Sequence, residues 1–404
     1  MNIERAGSDR PAAAPPPGSG SPPISRLLRI LRHVAKGLLL FAAGTVLFHA
    51  VVPPVYRFPP PRPFSGPYWY NPYQPPGNRW LRANFHAHSR NWVNYRSTEA
   101  PAGTLRSAYR GQGYDISGIS NYQNIVPPDV PDDLYIPVYE HGYGATQQHQ
   151  TVIGASSVSW LEFPFFQDLA QKQAVIDRLT AGEDVVVLNH PNKHDSYPPS
   201  DMNSLAGYTG IEVATRYADG LPDWEAALRA GRPVWGFCGD DCHKIKPHDQ
   251  FAIGWLMIGT DGRTPAAVMA SLKTGRFYGV SAKSGLTPNA LVSCGIADNR
   301  LTVVCAEPAW CIQFFVRGRP VNTVRGVASA SYDLRDEDAC VRVEIITRET
   351  VLYLNPVLRI SDPQVPGRPP PGPRAEVRPA ATWSLRGAGF LALALLAARL
   401  YGRR

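Results

Sequence analysis

Apolar residues between positions 79 and 283 come in short runs, each bounded by Gly, Pro, Asn or Asp. The runs at residues 82–88, 115–120, 135–139, 150–158, 185–190, 210–214 and 234–238 have the length and composition of buried β-strands. Val185-Val186-Val187-Leu188 is apolar at every position, as expected for a strand covered on both faces. Residues 166–181 and 222–230 carry helical spacing instead. Strands alternating with helices predict an α/β fold, a mostly parallel sheet or a barrel, over residues 79–283. After Gly279 the texture changes. Residues 290–293, 300–306, 312–316, 330–334 and 341–346 alternate without a helical period, which predicts a small β-sandwich over residues 284–362. No internal repeat is evident.

The ends of the chain follow different patterns. Residues 1–33 are rich in Pro, Ala, Ser and Gly, carry several basic residues, and read as a disordered basic tail. Residues 34–52 form an apolar stretch just long enough to cross a bilayer, with Lys36 snorkelling. Arg26, Arg29, Arg32 and Lys36 ahead of it predict a cytoplasmic N-terminus and an extracytoplasmic remainder, periplasmic or at the cell surface. A cleaved signal peptide is the alternative, although no A-x-A site follows. Residues 53–78, Pro-rich with interleaved aromatics, read as a semi-rigid stalk. Residues 363–386 form a second Pro/Arg-rich linker. The apolar stretch at 387–401 is either a second span or an interfacial helix.

Charge separates along the same boundaries. The chain carries a formal +8, yet residues 1–57 hold seven basic against two acidic side chains, and residues 364–404 seven against one. The middle is therefore mildly acidic, which argues against a nucleic-acid surface there. Its pockets would need added cations to hold an anion. The six cysteines are Cys238, Cys242, Cys294, Cys305, Cys311 and Cys340. An oxidising compartment would permit disulfides among the last four. The three-residue gap between Cys238 and Cys242 suits packing better than zinc.

The candidate chemistry starts at Asn84-Phe85-His86-Ala87-His88-Ser89. In a strand, residues i and i+2 share a face, so two imidazoles at that spacing can share a cation. Gly239-Asp240-Asp241-Cys242-His243 repeats the spacing about a domain later, with Asp240 as the alternative register for the carboxylate. Between them lie Glu140, His149, His190 and Glu212. Mixed imidazole and carboxylate donors suit Zn²⁺, Mn²⁺ or Fe²⁺ rather than Ca²⁺. Glu212 reads more readily as a residue behind the ligands than as a ligand itself. Lys193 and Arg216 follow the motif strands and could meet a phosphate, though solvated surface charge is the simpler reading for each.

Taken in order, these motifs resemble those of the PHP family, the polymerase and histidinol-phosphatase-type metallohydrolases, over about residues 82–282. Asn84 to Ser89 is similar to the family's opening H-x-H, and Ile136-Pro137-Val138-Tyr139-Glu140 to its strand ending in Glu. His149 with Val152-Ile153-Gly154, Asn189-His190-Pro191, Gly210-Ile211-Glu212-Val213 and Asp241-Cys242-His243 resemble its later motifs. Leu272 to Tyr278 resembles the segment that follows in PHP proteins with a C-terminal β-domain. The resemblance implies a distorted (β/α)7 PHP-type barrel, to which the sequence pattern adds the β-sandwich after it and the N-terminal transmembrane anchor ahead of both. It also implies a metal held by His86, His88, Glu140 and Asp241, a second shared through Glu140 with His149 and His190, and a third at His243.

Three departures stand against that pattern. Ser120-Asn121-Tyr122 replaces the usual Thr-Asp-His, Arg90 to Asn94 replaces the usual Ser-Asp-Gly, and Asn84 stands where Asp is common. Two divalent transition metals are therefore expected rather than three, with Tyr122 as a candidate hydrogen-bond donor to a leaving oxygen. The function implied is a membrane-tethered metal-dependent hydrolase, a phosphoesterase using a hydroxide activated by two metals. Its substrate would be a small phosphorylated or envelope-derived molecule. A degenerate PHP domain that binds metal or ligand without turnover is the alternative. A carbon–nitrogen hydrolase and an envelope scaffold are further ones.

Overall fold

The run Val185–Leu188 forms a strand whose four side chains are all buried, three of them completely. Each such burial contributes roughly 1.5–3 kcal/mol, so the strand is held by its surroundings rather than by its own propensity. In the computed structural model, which describes residues 23–77, 79–90, 98–182, 184–216, 219–246, 249–282, 289–362 and 369–402, six more strands accompany it. In chain order they are β1 (Arg79–Asn84), β2 (Ile116–Ser117), β3 (Val138–His141), β4 (Gln150–Ile153), β5 (Val185–Leu188), β6 (Gly210–Ala214) and β7 (Trp235–Cys238). The helices between them are α1 (Ala102–Gly111), α2 (Leu169–Thr180) and α3 (Leu221–Arg229). Asp168 starts α2 through a reciprocal capping box with Gln171.

Strands β3 to β7 hydrogen-bond in sequence order as a curled half-barrel sheet. The expected parallel order holds for β5, β6 and β7, but β4 runs antiparallel to both neighbours. The connection from His141 to Gln150 is too short to carry a crossover helix, so the chain can only turn back. β1 and β2 pair in parallel within a second sheet. Two isolated bridges join the sheets: Tyr122 to Glu140, and Ala87 to Cys242.

The second sheet holds the C-terminal strands as well. After β8 (Gly254–Thr260), α4 (Pro265–Thr274) and β9 (Phe277–Ala282) come β10 (Leu291–Ala297), β11 (Arg300–Val316), β12 (Arg319–Asp333), β13 (Cys340–Ile346) and β14 (Thr350–Ile360). Their order is β10-β11-β13-β14-β9-β8-β1-β2, with β12 added on β11 and the short strand Tyr68–Tyr70 on β14. The sandwich expected after residue 283 is therefore not a separate pair of sheets. Its strands continue the sheet that begins at β1, because β9 pairs with β14 along residues 278–282. The expected runs at 300–306 and 312–316 are one strand, interrupted by a bulge between Val304 and Ala309 where Pro308 cannot donate to the ladder. Helix α4 ends at Gly275, whose φ of +75° favours glycine and whose added Cβ would lie 2.6 Å from the Trp235 ring.

Residues 53–382 form one compact unit. The segment read as a stalk belongs to it: Tyr70, Asn71 and Tyr73 are buried, and the Tyr73 hydroxyl donates to Phe277 O at 2.9 Å. Interleaved aromatics find a core here, which Pro content alone does not signal. All six cysteines are buried and unpaired.

The other unit contains two helices, Pro23–Val51 and Pro379–Tyr401, both long and apolar enough to cross a membrane. The first begins well before residue 34, so Arg26, Arg29 and Arg32 are helical rather than part of a disordered tail. The second likewise starts before residue 387. They run antiparallel, with Arg386 donating to Val51 O and Val52 O at 3.0 and 2.8 Å and Lys36 donating to Leu400 O.

Candidate metal centre

The candidate ligands converge where the parallel strands end. Regular pairing of β1 stops at Asn84, but the chain stays extended, and the bridge from Ala87 to Cys242 aligns it with the residues after β7. His86 and His88 flank one bridging residue, and Asp241 and His243 flank the other. The repeated one-residue spacing thus becomes a matched set of four side chains. Asp241 holds a φ of +47° and His190 one of +27°, conformations L side chains rarely adopt, so backbone strain accompanies the site. Glu140 lies in β3, His149 immediately precedes β4, and His190 follows β5.

Glu140 is the hub, with no exposed surface. Its Oε1 lies 3.0 Å from His149 Nδ1, 3.3 Å from His86 Nε2 and 3.5 Å from His190 Nε2, while Oε2 lies 3.0 Å from His88 Nε2. Asp241 Oδ1 is 3.2 Å from His88 Nε2 and 3.4 Å from both His86 Nε2 and His243 Nε2. Two groups of donors are close enough to share an ion: His86, Glu140 and His190, and His86, His88 and Asp241. His86 belongs to both.

A further layer holds these side chains. His86 Nδ1 is 2.8 Å from Glu212 Oε1, and Glu212 Oε2 accepts from the backbone N–H of His190 at 2.9 Å. Asn189 donates to Glu140 Oε1 at 3.0 Å while its own oxygen accepts from Thr151 N. Asp240 faces away from the cluster and accepts from Tyr109, Asn84 and the backbone N–H groups of residues 252–254. Asp241 points into the cluster, and Asp240 anchors the turn.

Burial disfavours charge on Glu140 and Asp241, yet the facing imidazoles, His86 first in each case, hold both carboxyls well below the usual range. Burial also opposes charge on His86 and His88, but the acids around them push both upward. A bound cation would take the place of those protons. His86 Nε2, both ring nitrogens of His88 and of His190, and both oxygens of Asp241 are buried without a hydrogen-bond partner. Buried polar atoms without partners cost about 1–3 kcal/mol each. Imidazole and carboxylate donors converging in this way fit a divalent transition ion.

The structure thus brings together His86, His88, Glu140, His149, His190 and Asp241. His243 stands at the rim, more exposed than the rest, its ring stacked on His88 at 4.5 Å. Tyr122 also stacks on His88, at 4.7 Å, and meets His149 edge-on at 5.2 Å. Asn121 turns from the cluster and bonds Ser89, through its oxygen to the N–H and through its amide to Oγ, both at 2.8 Å. Tyr122 and Asn121 thus make aromatic contacts and amide hydrogen bonds beside the cluster. Arg216 pairs with Asp249 at 3.4 Å. Residues 91–94, where the chain departs from the opening pattern, lie outside the described residues. Sequence reasoning missed Asn189, although its place beside His190 was a usable signal.

No protein-family model matches the chain, and no curated protein does. Among solved structures it is similar to a two-domain protein from Bacteroides vulgatus containing a predicted PHP-like metal-dependent phosphoesterase. The two share 12% identity with a TM-score of 0.39, over 74% of this chain and 91% of that one.

Proposed function

We propose that this chain is a membrane-tethered phosphoesterase on a distorted (β/α)7 PHP-type barrel. The observation that carries the reading is Glu140, a fully buried carboxylate whose two oxygens face different imidazoles, His88 on one side and His149 with His190 on the other. One Zn²⁺, Mn²⁺ or Fe²⁺ would lie among His86, His88, Glu140 and Asp241, and a second among Glu140, His149 and His190. Such a pair, when bound, supplies Lewis acidity toward water and stabilises charge on the oxygens of a phosphoester. The chain's own residues fix the geometry. The bridges at Ala87 and Tyr122 hold strand ends together, Asn189 orients Glu140, and His243 and Tyr122 keep the His88 ring in one plane. Tyr122, its ring against His88 and His149, would be the donor of a hydrogen bond to a leaving oxygen.

Seven strands, β1 to β7, with bridges at both seams between the sheets support the barrel. Two apolar helices and the basic residues at 26–36 support a cytoplasmic N-terminus, with residues 53–382 on the far side of the membrane. The substrate would be a small phosphorylated or envelope-derived molecule. Asn121 and Tyr122 favour one rival, a domain that binds metal without turnover.

The test is metal content by mass spectrometry on the full-length protein in detergent, beside Glu140→Ala, followed by a phosphomonoester and phosphodiester screen. About two transition ions per chain, falling in the folded variant, together with hydrolysis that the variant loses, is the expected result. Stable metal uptake without hydrolysis of any ester would favour the binding domain. A chain that takes up no metal after reconstitution overturns the hydrolase reading.

A further inference from the structure

Glu212 lies in β6 with 2% of its surface exposed, behind the ligands rather than among them. Its two oxygens do different work. Oε1 is 2.8 Å from His86 Nδ1, and a carboxylate can only accept, so the proton of that bond sits on Nδ1. The lone pair of His86 is thereby assigned to Nε2, the atom that faces Glu140 and Asp241 and has no hydrogen-bond partner of its own. Oε2 accepts from His190 N at 2.9 Å, which clamps a residue whose φ of +27° is unfavourable for an L side chain. One carboxylate therefore sets the tautomer of one candidate ligand and the backbone of another. His86 is the residue both candidate triads share, and His190 completes one of them.

Gly239 leaves the space this arrangement needs. A Cβ there would come within 2.9 Å of both Glu212 Oε1 and His86 Cβ. The contact between Glu212 and His86 thus has room only because residue 239 has no side chain.

We infer that Glu212 is the positioning residue of the metal centre, acting on both metals through His86 and His190 without touching either. The inference rests on the metal-centre reading above. Partners of this kind behind ligating histidines typically change metal affinity about 10- to 100-fold when removed.

The experiment uses the full-length protein in detergent, loaded with Co²⁺, whose visible absorption reports ligand geometry. Wild type, Glu212→Gln and Glu212→Ala are compared for Co²⁺ affinity by chelator competition, for the absorption spectrum, and for metal-free melting temperature. In Glu212→Ala, affinity should fall about 10- to 100-fold and the absorption bands should move. Glu212→Gln keeps one carbonyl oxygen for His86 but offers an N–H toward the His190 N–H, so it should recover both readouts in part. Wild-type affinity and spectrum in both variants would overturn the inference. So would a drop in metal-free stability with no change in affinity per folded molecule, which is what a merely structural acid would give. A wild-type chain that binds no Co²⁺ overturns the metal-centre reading together with this one.

Discussion

At residue 84 the chain carries an amide where the resemblance led to a carboxylate, and its surroundings give the reason. Asp240 is fully buried, and burial pushes its carboxyl up to about 6 despite five donors. One of those donors is Asn84 Nδ2, at 3.2 Å. Asn84→Asp would set a second carboxylate against the first in a dry site, so one of the two must stay protonated. Because folding raises the Asp240 pKa, folding takes up a proton, and stability falls as pH climbs from the unfolded value through about 6. Asn84→Asp should therefore lower stability by about 1–3 kcal/mol at pH 8 and by less at pH 5. Thermal melts at the two pH values check it, and an equal loss at both would refute the carboxylate clash. The same position shows what was legible at this scale. His86, His88, Asp241 and His243 betray themselves because a spacing of two has a geometric meaning in an extended chain. The hydrogen bonds of Asn189, and those of the Asn84 amide to Tyr109 and Asp240, have no such period, since they join residues far apart in sequence.

Between elements, the stretch from β4 to α2 folds back along the loop that delivers His149. Ala145 N donates to Pro164 O and Thr146 Oγ1 to Phe165 O, both at 2.8 Å. At the centre is Glu162, which accepts from Phe163 N at 2.7 Å, from Tyr143 N at 3.2 Å and from Gln167. Burial outweighs these donors and raises its carboxyl from the usual 4.5 to about 7. With the folded pKa above the unfolded one, the penalty is absent below about pH 4.5 and complete above about pH 7, a total on the order of 3 kcal/mol. Glu162→Gln removes the titration, so the stability of wild type minus variant should fall steadily between pH 4.5 and 7. Denaturant unfolding across that range measures it, and a difference that stays flat would exclude Glu162 as the cause. Individual elements were easier to read than their pairing. The run at β5 announces itself by being apolar throughout, whereas the reversal of β4 follows from loop length, which composition does not display.

For the molecule as a whole, the sharpest difference from expectation is the seam at residue 283. The change of texture there is real, because helices stop and alternating strands begin. Pairing between distant strands leaves no mark on a sequence, and that pairing crosses the seam. β9 lies between β8 and β14, with Phe277, Tyr278 and Val280 at most 1% exposed. Asn355 of β14 accepts from Gly236 N at 2.8 Å and donates to Phe277 O at 2.9 Å. Arg342 of β13, itself buried, pairs with Glu225 of α3 at 2.7 Å. One cluster of buried apolar side chains runs from Tyr109 and Trp255 to Ile312, Val343 and Leu354. Removing residues 284–382 would expose those three β9 side chains, a loss of about 1.5–3 kcal/mol each, and would leave β9 as an unpaired apolar edge. That loss alone rivals the net stability of an ordinary domain. A fragment ending at residue 283 should therefore fail to fold and should aggregate, and residues 53–382 of the intact protein should unfold in one calorimetric transition. Two separated transitions, or a soluble fragment with a native-like melt, would mean that the metal centre's half of the sheet stands without the strands that follow it.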